Sequence, residues 1–164
     1  MTYIIIRGPA GVGKSKLAKN LVIWFRRRKI KIKSFNPGSL RRRYNLSFSL
    51  EDKLKLDNIL IQKTKKLINE GYVIIFDEVY YYPKQITNFN KKLGRPIIIS
   101  LKASLKKCLE RNNYRRSKRK LLDKNVIEVY KLDKSFKKGY VINTENKSKN
   151  EVLKQTIKLL KSKL

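Results

Sequence analysis

The sequence has 164 residues, of which 41% are hydrophobic, and this is enough chain for one domain with a core rather than a disordered segment. Lysine and arginine number 42 against 12 acidic residues, so the net charge is +30. A field of this size attracts polyanions. No apolar stretch approaches the ~20 residues of a membrane span, and no secretory signal precedes the first strand. We therefore expect a cytoplasmic protein with no membrane partner.

The first unit in chain order is a strand, a loop and a helix. Three isoleucines at 4–6 predict a strand buried on both faces. From Ser15 onward apolar residues recur at helical spacing, which predicts a helix. Between the two elements, "GPAGVGKS" at 8–15 matches the P-loop signature G-x-x-x-x-G-K-[ST]. The motif and its context together predict a site for nucleotide phosphates.

The motif assigns chemistry to its residues. Glycines allow backbone conformations that a Cβ would forbid, so N–H groups can converge on phosphate oxygens at the N-terminal end of the helix. We expect Lys14 to act catalytically by neutralising the outer phosphates of ATP, and Ser15 to ligate Mg²⁺. The predicted ATP-binding residues of the loop are Gly8, Pro9, Ala10, Gly11, Val12, Gly13, Lys14 and Ser15.

Strands and helices alternate along the rest of the chain. A short strand at 30–34 and a Pro-Gly break at 36–39 precede a long helix, opened by a capping box of Ser49 with Asp52 and ended by Gly71. Further strands are predicted at 72–78, 95–100 and 140–143, and helices from Pro83 to Gly94, at 103–112, at 123–136 and after a capping box of Ser148 with Glu151. This alternation predicts one α/β domain over 1–164, with a five-stranded parallel sheet and helices on both faces.

Two acids follow the apolar run "VIIF" of the third predicted strand, Asp77 and Glu78. Ligands of parallel sheets bind at the carboxyl ends of the strands, so these acids should open onto the same crevice as the P-loop. An acid in this place can hold Mg²⁺, orient water or accept the proton of an attacking hydroxyl. We predict Asp77 as a catalytic and metal-binding residue, and both acids as substrate-binding residues.

Arginine is concentrated in three clusters, at 26–29, 41–44 and 111–119. An AT-rich genome would by itself produce many lysines, and this remains an alternative explanation of the net charge, but it does not explain clustered arginine. Guanidinium groups suit phosphate. Arg41, Arg42 and Tyr44 are therefore predicted to bind substrate, because basic residues with an aromatic ring fit the end of a nucleic-acid strand. They would also fit a small phosphorylated acceptor.

Cysteine and histidine usage argues against a disulfide framework or a metal cluster of these residues. Cys108 is the single cysteine, and histidine is absent. Because Cys108 lies in a periodic apolar run, we predict that it is a small core residue.

The segments "GPAGVGKS", "VIIFDE", "CLERNNYRR", "VIEVYKLDKSF" and "GYVINTENKS" give the chain a resemblance to small P-loop kinases over nearly its whole length. It is most similar to the kinase domains of polynucleotide 5′-kinases. The resemblance implies a P-loop NTPase fold of the kinase type, with a basic lid over about 111–124. The first residues of this lid are an Arg-Asn pair, here Arg111 and Asn112. It implies that Arg111 binds ATP and stabilises the transferring phosphoryl group as a catalytic residue. Arg115, Arg116 and Arg119 would line the lid, with Arg115 on the substrate.

One departure from that family concerns the base. Polynucleotide kinases commonly carry an aspartate just after the second strand, whereas "SFNPGSLRRRYN" holds no acid before Glu51. Either Asp77 or Glu78 takes over, or the acceptor needs no base, as for a nucleoside monophosphate. The +30 charge favours a kinase of DNA or RNA 5′-hydroxyl ends. A nucleotide or other small-molecule kinase, and a non-catalytic ATP-dependent switch that binds nucleic acid or protein, remain the alternatives.

Overall fold

The computed structural model describes residues 3–47, 49–80, 82–115, 120–134 and 139–163, with the side chains of Arg42 and Lys134 left out. Strands and helices alternate through these segments, as the sequence predicts. The elements are β1 (Tyr3–Arg7), α1 (Lys14–Arg26), β2 (Ile32–Phe35), α2 (Pro37–Arg43), α3 (Leu50–Asn69), β3 (Val73–Asp77), α4 (Pro83–Leu93), β4 (Ile97–Lys102), α5 (Leu105–Asn113), α6 (Asp123–Lys134), β5 (Tyr140–Asn143) and α7 (Lys149–Lys161). Within these segments no helix is long and apolar enough to cross a bilayer.

The sheet has the strand order β2-β3-β1-β4-β5, and every neighbouring pair is parallel. Strand β1 is central, with Ile6 opposite Asp77 of β3 and Arg7 opposite Ser100 of β4. The loop after β1 and the carboxylate of Asp77 therefore lie at the same edge of the sheet. This confirms the predicted five-stranded parallel sheet.

Two apolar cores cover the two faces of the sheet, because side chains alternate along β1. Ile4 and Ile6 pack into the core formed with α1, α5 and α7, whereas Tyr3 and Ile5 pack into the core formed with α3 and α4. Cys108 lies fully buried in the first core, as predicted, and burial raises the pKa of its thiol to about 11.

Two local predictions differ from the structure. The predicted break at 36–39 is the start of α2, because the Asn36 side-chain oxygen accepts from Ser39 N and proline suits the first position of a helix. The predicted capping box at α3 is half formed. Ser49 accepts from Asp52 N, but the Asp52 carboxylate accepts from Ser47 N and Oγ instead. The capping box of α7 has both of its bonds.

Candidate active site

The loop between β1 and α1 has the backbone that the P-loop motif requires. Gly8, Gly11 and Gly13 have φ values of 138°, 85° and 108°, in the region that favours glycine. A Cβ on Gly8 would clash with the carbonyl of Leu101, and one on Gly11 with the carbonyl of Cys108. The loop is therefore packed directly on β4 and α5.

The ammonium of Lys14 lies over this loop. Its Nζ donates to the carbonyl oxygens of Gly8 at 2.8 Å and Pro9 at 2.9 Å. Desolvation lowers the pKa of Lys14, and the carboxylates of Asp77 and Glu78 oppose that shift. The lysine thus stands between the loop and the two acids at the end of β3.

Asp77 is a buried carboxylate with one free oxygen. It is 4% exposed, and its Oδ2 accepts from Asn36 Nδ2 at 3.0 Å. Its Oδ1 has no hydrogen-bond partner in the part of the chain that the structure describes. An unsatisfied buried acceptor costs about 1–3 kcal/mol, so this oxygen is suited to a cation or to a hydroxyl of a bound ligand.

Asn36 was missed by the sequence analysis, although it lies directly after β2, where the resemblance places an aspartate. Its Nδ2 also approaches the main-chain oxygen of Asp77, at 3.3 Å. An amide cannot accept a proton as a carboxylate does. Asn36 therefore orients Asp77 and does not replace the base.

The residues present fit Mg²⁺ held in the manner of nucleotide enzymes. Magnesium in such sites takes one or two carboxylates together with substrate phosphates and water. Ser15 lines the cleft in the first turn of α1, and Asp77 supplies the free Oδ1. No cluster of three acid, histidine or cysteine ligands occurs among the described residues, so a metal here would rely on phosphate oxygens.

Glu78 lies beside Asp77 but faces the side of α2 and α3. Its Oε1 accepts from Val79 N at 2.8 Å, and its Oε2 lies next to Gly38. Its charge raises the pKa of buried Lys53 against the lowering by desolvation. Glu78 is thus turned towards α2 and α3, and its role in binding substrate remains a prediction.

Arg111 is fixed to the loop between β5 and α7. It donates to Thr144 Oγ1 at 3.0 Å and to the main-chain oxygens of Thr144 and Glu145 at 2.6 and 3.4 Å. Thr144 Oγ1 lies 3.2 Å from the carbonyl of Val12 in the P-loop. The arginine and the threonine therefore brace the P-loop from the side, and nothing in the sequence pattern indicated Thr144.

Arg115 lies one helical turn further on and has a different environment. Desolvation lowers its pKa, and the charge of Asp77 raises it. The same guanidinium lowers the pKa of Lys14. The structure thus brings Arg115, Lys14 and Asp77 into electrostatic range of one another, in the region where the phosphates of a P-loop ligand would lie.

Asn112 connects the end of α5, just before Arg115, to the main chain just before α6. Its side chain is fully buried, donates to Leu121 O at 2.8 Å and accepts from Leu121 N at 3.1 Å. This pair of bonds joins the end of α5 to the start of α6. Arg116 and Arg119, predicted to line the lid, lie outside the described residues.

A cleft of about 860 Å³ runs beside the loop, which is within the range of small-molecule sites. Arg111 and Arg115 line it together with the P-loop. The remaining lining residues are Lys16, Leu17, Asn20, Leu101, Thr144, Lys147, Ser148, Lys149 and Val152.

The predicted substrate-binding residues in α2 and directly after it do not come together at one place. Arg41 donates to Leu46 O at 2.8 Å and lies within electrostatic range of Lys53. Tyr44 is 40% exposed and contacts Lys63, which is ten residues, or about 15 Å, along α3 from Lys53. Tyr44 is thus outside the cleft, and the side chain of Arg42 is not described. Their roles remain predictions.

A buried ion pair behind the loop was also missed. Arg7, the last residue of β1, is fully buried and donates to the carboxylate of Asp133 in α6 and to Ser100 Oγ. This pair ties α6 to the strand that carries the P-loop. The only sequence signal was a charged residue between an apolar strand and a glycine loop.

Solved structures with the same fold include an APS kinase and a gluconokinase. The APS kinase CysC of Mycobacterium tuberculosis, in complex with AMPPNP and APS, has a TM-score of 0.74 and 16% identity, covering 98% of this chain and 97% of that one. A gluconokinase from Sinorhizobium meliloti has a TM-score of 0.70 and 10% identity, covering 96% and 90%. A protein described as APE1195 has a TM-score of 0.77 and 17% identity, covering 98% and 95%. These similarities establish the P-loop NTPase fold of the kinase type.

No curated protein sequence matches the chain significantly. One family model does, and its description is "Chromatin associated protein KTI12". The match extends over residues 1–158, so this chain belongs to the KTI12 family.

Proposed function

We propose that this chain is an ATP- and Mg²⁺-dependent phosphotransferase that acts on nucleic acid and transfers the γ-phosphoryl group to a 5′-hydroxyl end. The observation that carries the proposal is the grouping of Lys14, Arg115 and Asp77 beside the P-loop. Phosphoryl transfer needs cations on the phosphates and a group that orients the attacking hydroxyl and accepts its proton. These three side chains offer both.

On the donor side, the P-loop N–H groups would bind the β and γ phosphates. Lys14 needs only to turn from the carbonyls of Gly8 and Pro9 to reach them. Arg115 would stabilise the charge that develops on the transferring group. Arg111, held by Thr144 and Glu145, would border the nucleotide and keep the loop in place.

On the acceptor side, Asp77 would receive the proton of the attacking hydroxyl. Asn36 holds Oδ2, which leaves Oδ1 for the acceptor. Ser15 would ligate Mg²⁺ together with phosphate oxygens, and Asp77, whose free oxygen faces the acceptor, would contact the ion through a bound water. The ion would neutralise charge on the phosphate oxygens. Glu78, next in sequence and on the acceptor side, would bind substrate and serve as the second base.

The proposal that the substrate is a nucleic acid rests on the net charge and on the description of the family. The net charge of +30 exceeds what a mononucleotide requires. Arg41 lies near the acceptor side. The KTI12 family is described as chromatin associated, which favours a nucleic-acid partner over a metabolite.

A second candidate is a non-catalytic, ATP-dependent switch on nucleic acid. It is favoured by Asn36, which occupies the position of the expected aspartate, and by a family description that names chromatin and no reaction. A small-molecule kinase is the third candidate, because the structurally similar kinases act on small acceptors in two cases.

The test incubates the protein with γ-labelled ATP, Mg²⁺ and one acceptor at a time. The acceptors are 5′-hydroxyl DNA, 5′-hydroxyl RNA, nucleoside monophosphates and water alone, with Lys14→Ala and EDTA as controls. Label on an oligonucleotide end, lost in both controls, supports the proposal. Label on a mononucleotide alone contradicts it, and oligonucleotide-stimulated release of phosphate without labelled product identifies the switch.

A further inference from the structure

A second cleft lies outside the active site, between α1 and the edge strand β2. Its volume is about 420 Å³. The residues that line it are Lys19, Val22, Ile23, Arg26, Lys33 and Ser34, and we call this surface the α1–β2 groove. None of its cations was assigned a role by the sequence motifs.

The groove has a regular arrangement of cations around an apolar centre. Lys19, Ile23 and Arg26 follow one another at spacings of four and three residues, so they share one face of α1. Lys19 and Arg26 are separated by about 10.5 Å along the helix axis. Ile23 between them is 50% exposed. Lys33 lines the groove from the edge strand β2, and no described acid lies within ion-pair distance of Lys19, Arg26 or Lys33.

One end of the groove leads towards the acceptor side of the active site. Ser34 of β2 is two residues before Asn36, a distance of about 7 Å along an extended chain. Asn36 is hydrogen bonded to Asp77. The other end, at Arg26, is followed by Arg28, whose guanidinium lies 4.0 Å from the centre of the Trp24 ring. The positive surface thus continues away from the acceptor carboxylate.

We propose that the α1–β2 groove binds the body of a single-stranded nucleic acid whose 5′ end lies at Asp77. The cations would contact successive phosphates, and exposed Ile23 would contact sugars or base faces, which only an unpaired strand presents freely. The position of the 5′ end rests on the proposed function. Binding in the groove does not require transfer, so the two can fail separately.

The test compares two triple variants that each remove three positive charges. The groove variant is Lys19→Gln/Arg26→Gln/Lys33→Gln. The control is Lys154→Gln/Lys158→Gln/Lys161→Gln, since these three lysines are exposed and similarly spaced on one face of α7. Binding of a fluorescent 5′-hydroxyl oligonucleotide of about 12 nucleotides is followed by anisotropy over a salt series.

The groove variant should bind about tenfold more weakly at low salt. The slope of log affinity against log salt should flatten by about two, since each contacted phosphate contributes about 0.7 for single strands. The control should keep the wild-type slope, and both variants should keep their affinity for ATP. Equal losses in groove variant and control would overturn the proposal.

A polyglutamate peptide of equal charge serves as the second probe. If the groove variant weakens polyglutamate binding as much as oligonucleotide binding, the surface binds acidic protein and the proposal is wrong. Weakened oligonucleotide binding with unaffected polyglutamate binding supports it. Intact oligonucleotide binding in the groove without any labelled product would contradict the 5′-kinase function but leave the groove assignment standing.

Discussion

The two sides of the active-site cleft are built differently. On the donor side, the polar groups bond to one another: Lys14 to two loop carbonyls, and Arg111 to Thr144 and Glu145. At and after the end of β3, three buried polar atoms have no hydrogen-bond partner among the described residues, namely Asp77 Oδ1, Tyr80 OH and Gln85 Oε1. Tyr80 also has a φ of 47°, which is uncommon for a residue with a side chain.

The difference indicates which side of the site binds phosphates, as P-loops in general do, and which side recognises a ligand specific to this chain. A phosphate-binding loop can be complete before its ligand arrives, because the same phosphates are bound in every case. Buried polar atoms without partners, together with backbone strain, tend to occur at sites that recognise a specific ligand. The identity of the acceptor should therefore depend on residues around β3, α3 and α4.

The largest expected effect is on the acceptor side. Asp77→Asn should lower phosphoryl transfer by roughly 10²–10⁴-fold, the usual contribution of a general base. Glu78→Gln should have a smaller effect, because the Glu78 carboxylate already accepts from Val79 N. Initial rates with γ-labelled ATP measure both. If both variants transfer phosphate at the normal rate, the base lies elsewhere.

Removing the donor-side cation should have the next largest effect. Lys14→Ala should reduce transfer by roughly 10²–10³-fold, the loss seen when a preorganised electrostatic group is deleted. The variant should still fold, with a free energy of unfolding lowered by about 1–3 kcal/mol because the bonds of Lys14 to the oxygens of Gly8 and Pro9 are lost. Activity and denaturant unfolding are measured on the same sample. Normal turnover in a folded Lys14→Ala protein would show that this lysine does not act on the phosphates.

Substitutions of the two lid arginines should separate an effect on the rate of phosphoryl transfer from an effect on the free energy of unfolding. Arg115→Gln should lower transfer by about tenfold or more and leave unfolding unchanged. Arg111→Gln should lower the free energy of unfolding by about 1–3 kcal/mol, because it removes hydrogen bonds to Thr144 and Glu145. Transfer rates and urea unfolding, measured for both variants, distinguish the two roles. The opposite pattern would make Arg111 the transition-state cation that the kinase resemblance implies.

The last prediction leaves transfer aside and concerns the stability effect of Asp57, whose buried carboxyl has its pKa raised from 3.8 to about 7 by desolvation, against a hydrogen bond from Gln85. At a pH between these two pKa values, Asp57 holds a proton in the folded state that it has lost in the unfolded state. This group therefore makes the free energy of unfolding fall as pH rises from about 4 to about 7, by roughly 1–4 kcal/mol.

Asp57→Asn should remove that part of the pH dependence. The variant should match the wild type near pH 4 and become the more stable of the two near pH 8, as measured by urea unfolding. Asp123→Asn, at an exposed carboxyl, is the control. A stability difference that does not change between pH 4 and 8 would show that Asp57 does not carry the proton.

The fold was predictable because its signals are local. The P-loop letters, the isoleucine run and the caps of α7 each lie within a few residues, and Asp77 follows its strand directly. The active-site partners that were missed depend on long-range contacts. Asn36 meets Asp77 across 41 positions, and Arg111 meets Thr144 across 33. Sequence spacing cannot show that Arg111, in α5, bonds to the loop after β5, while Arg115 lies beyond the end of that helix.

The central position of β1 has a consequence for biosynthesis. Its residues leave the ribosome before those of its two neighbours in the sheet, which are formed by residues 73–77 and 97–102. Until both have been made, an apolar strand with two open edges must be shielded from other chains. A nascent chain that stops before Ile97 therefore contains every letter of the P-loop without the pair of strands that gives the loop its shape.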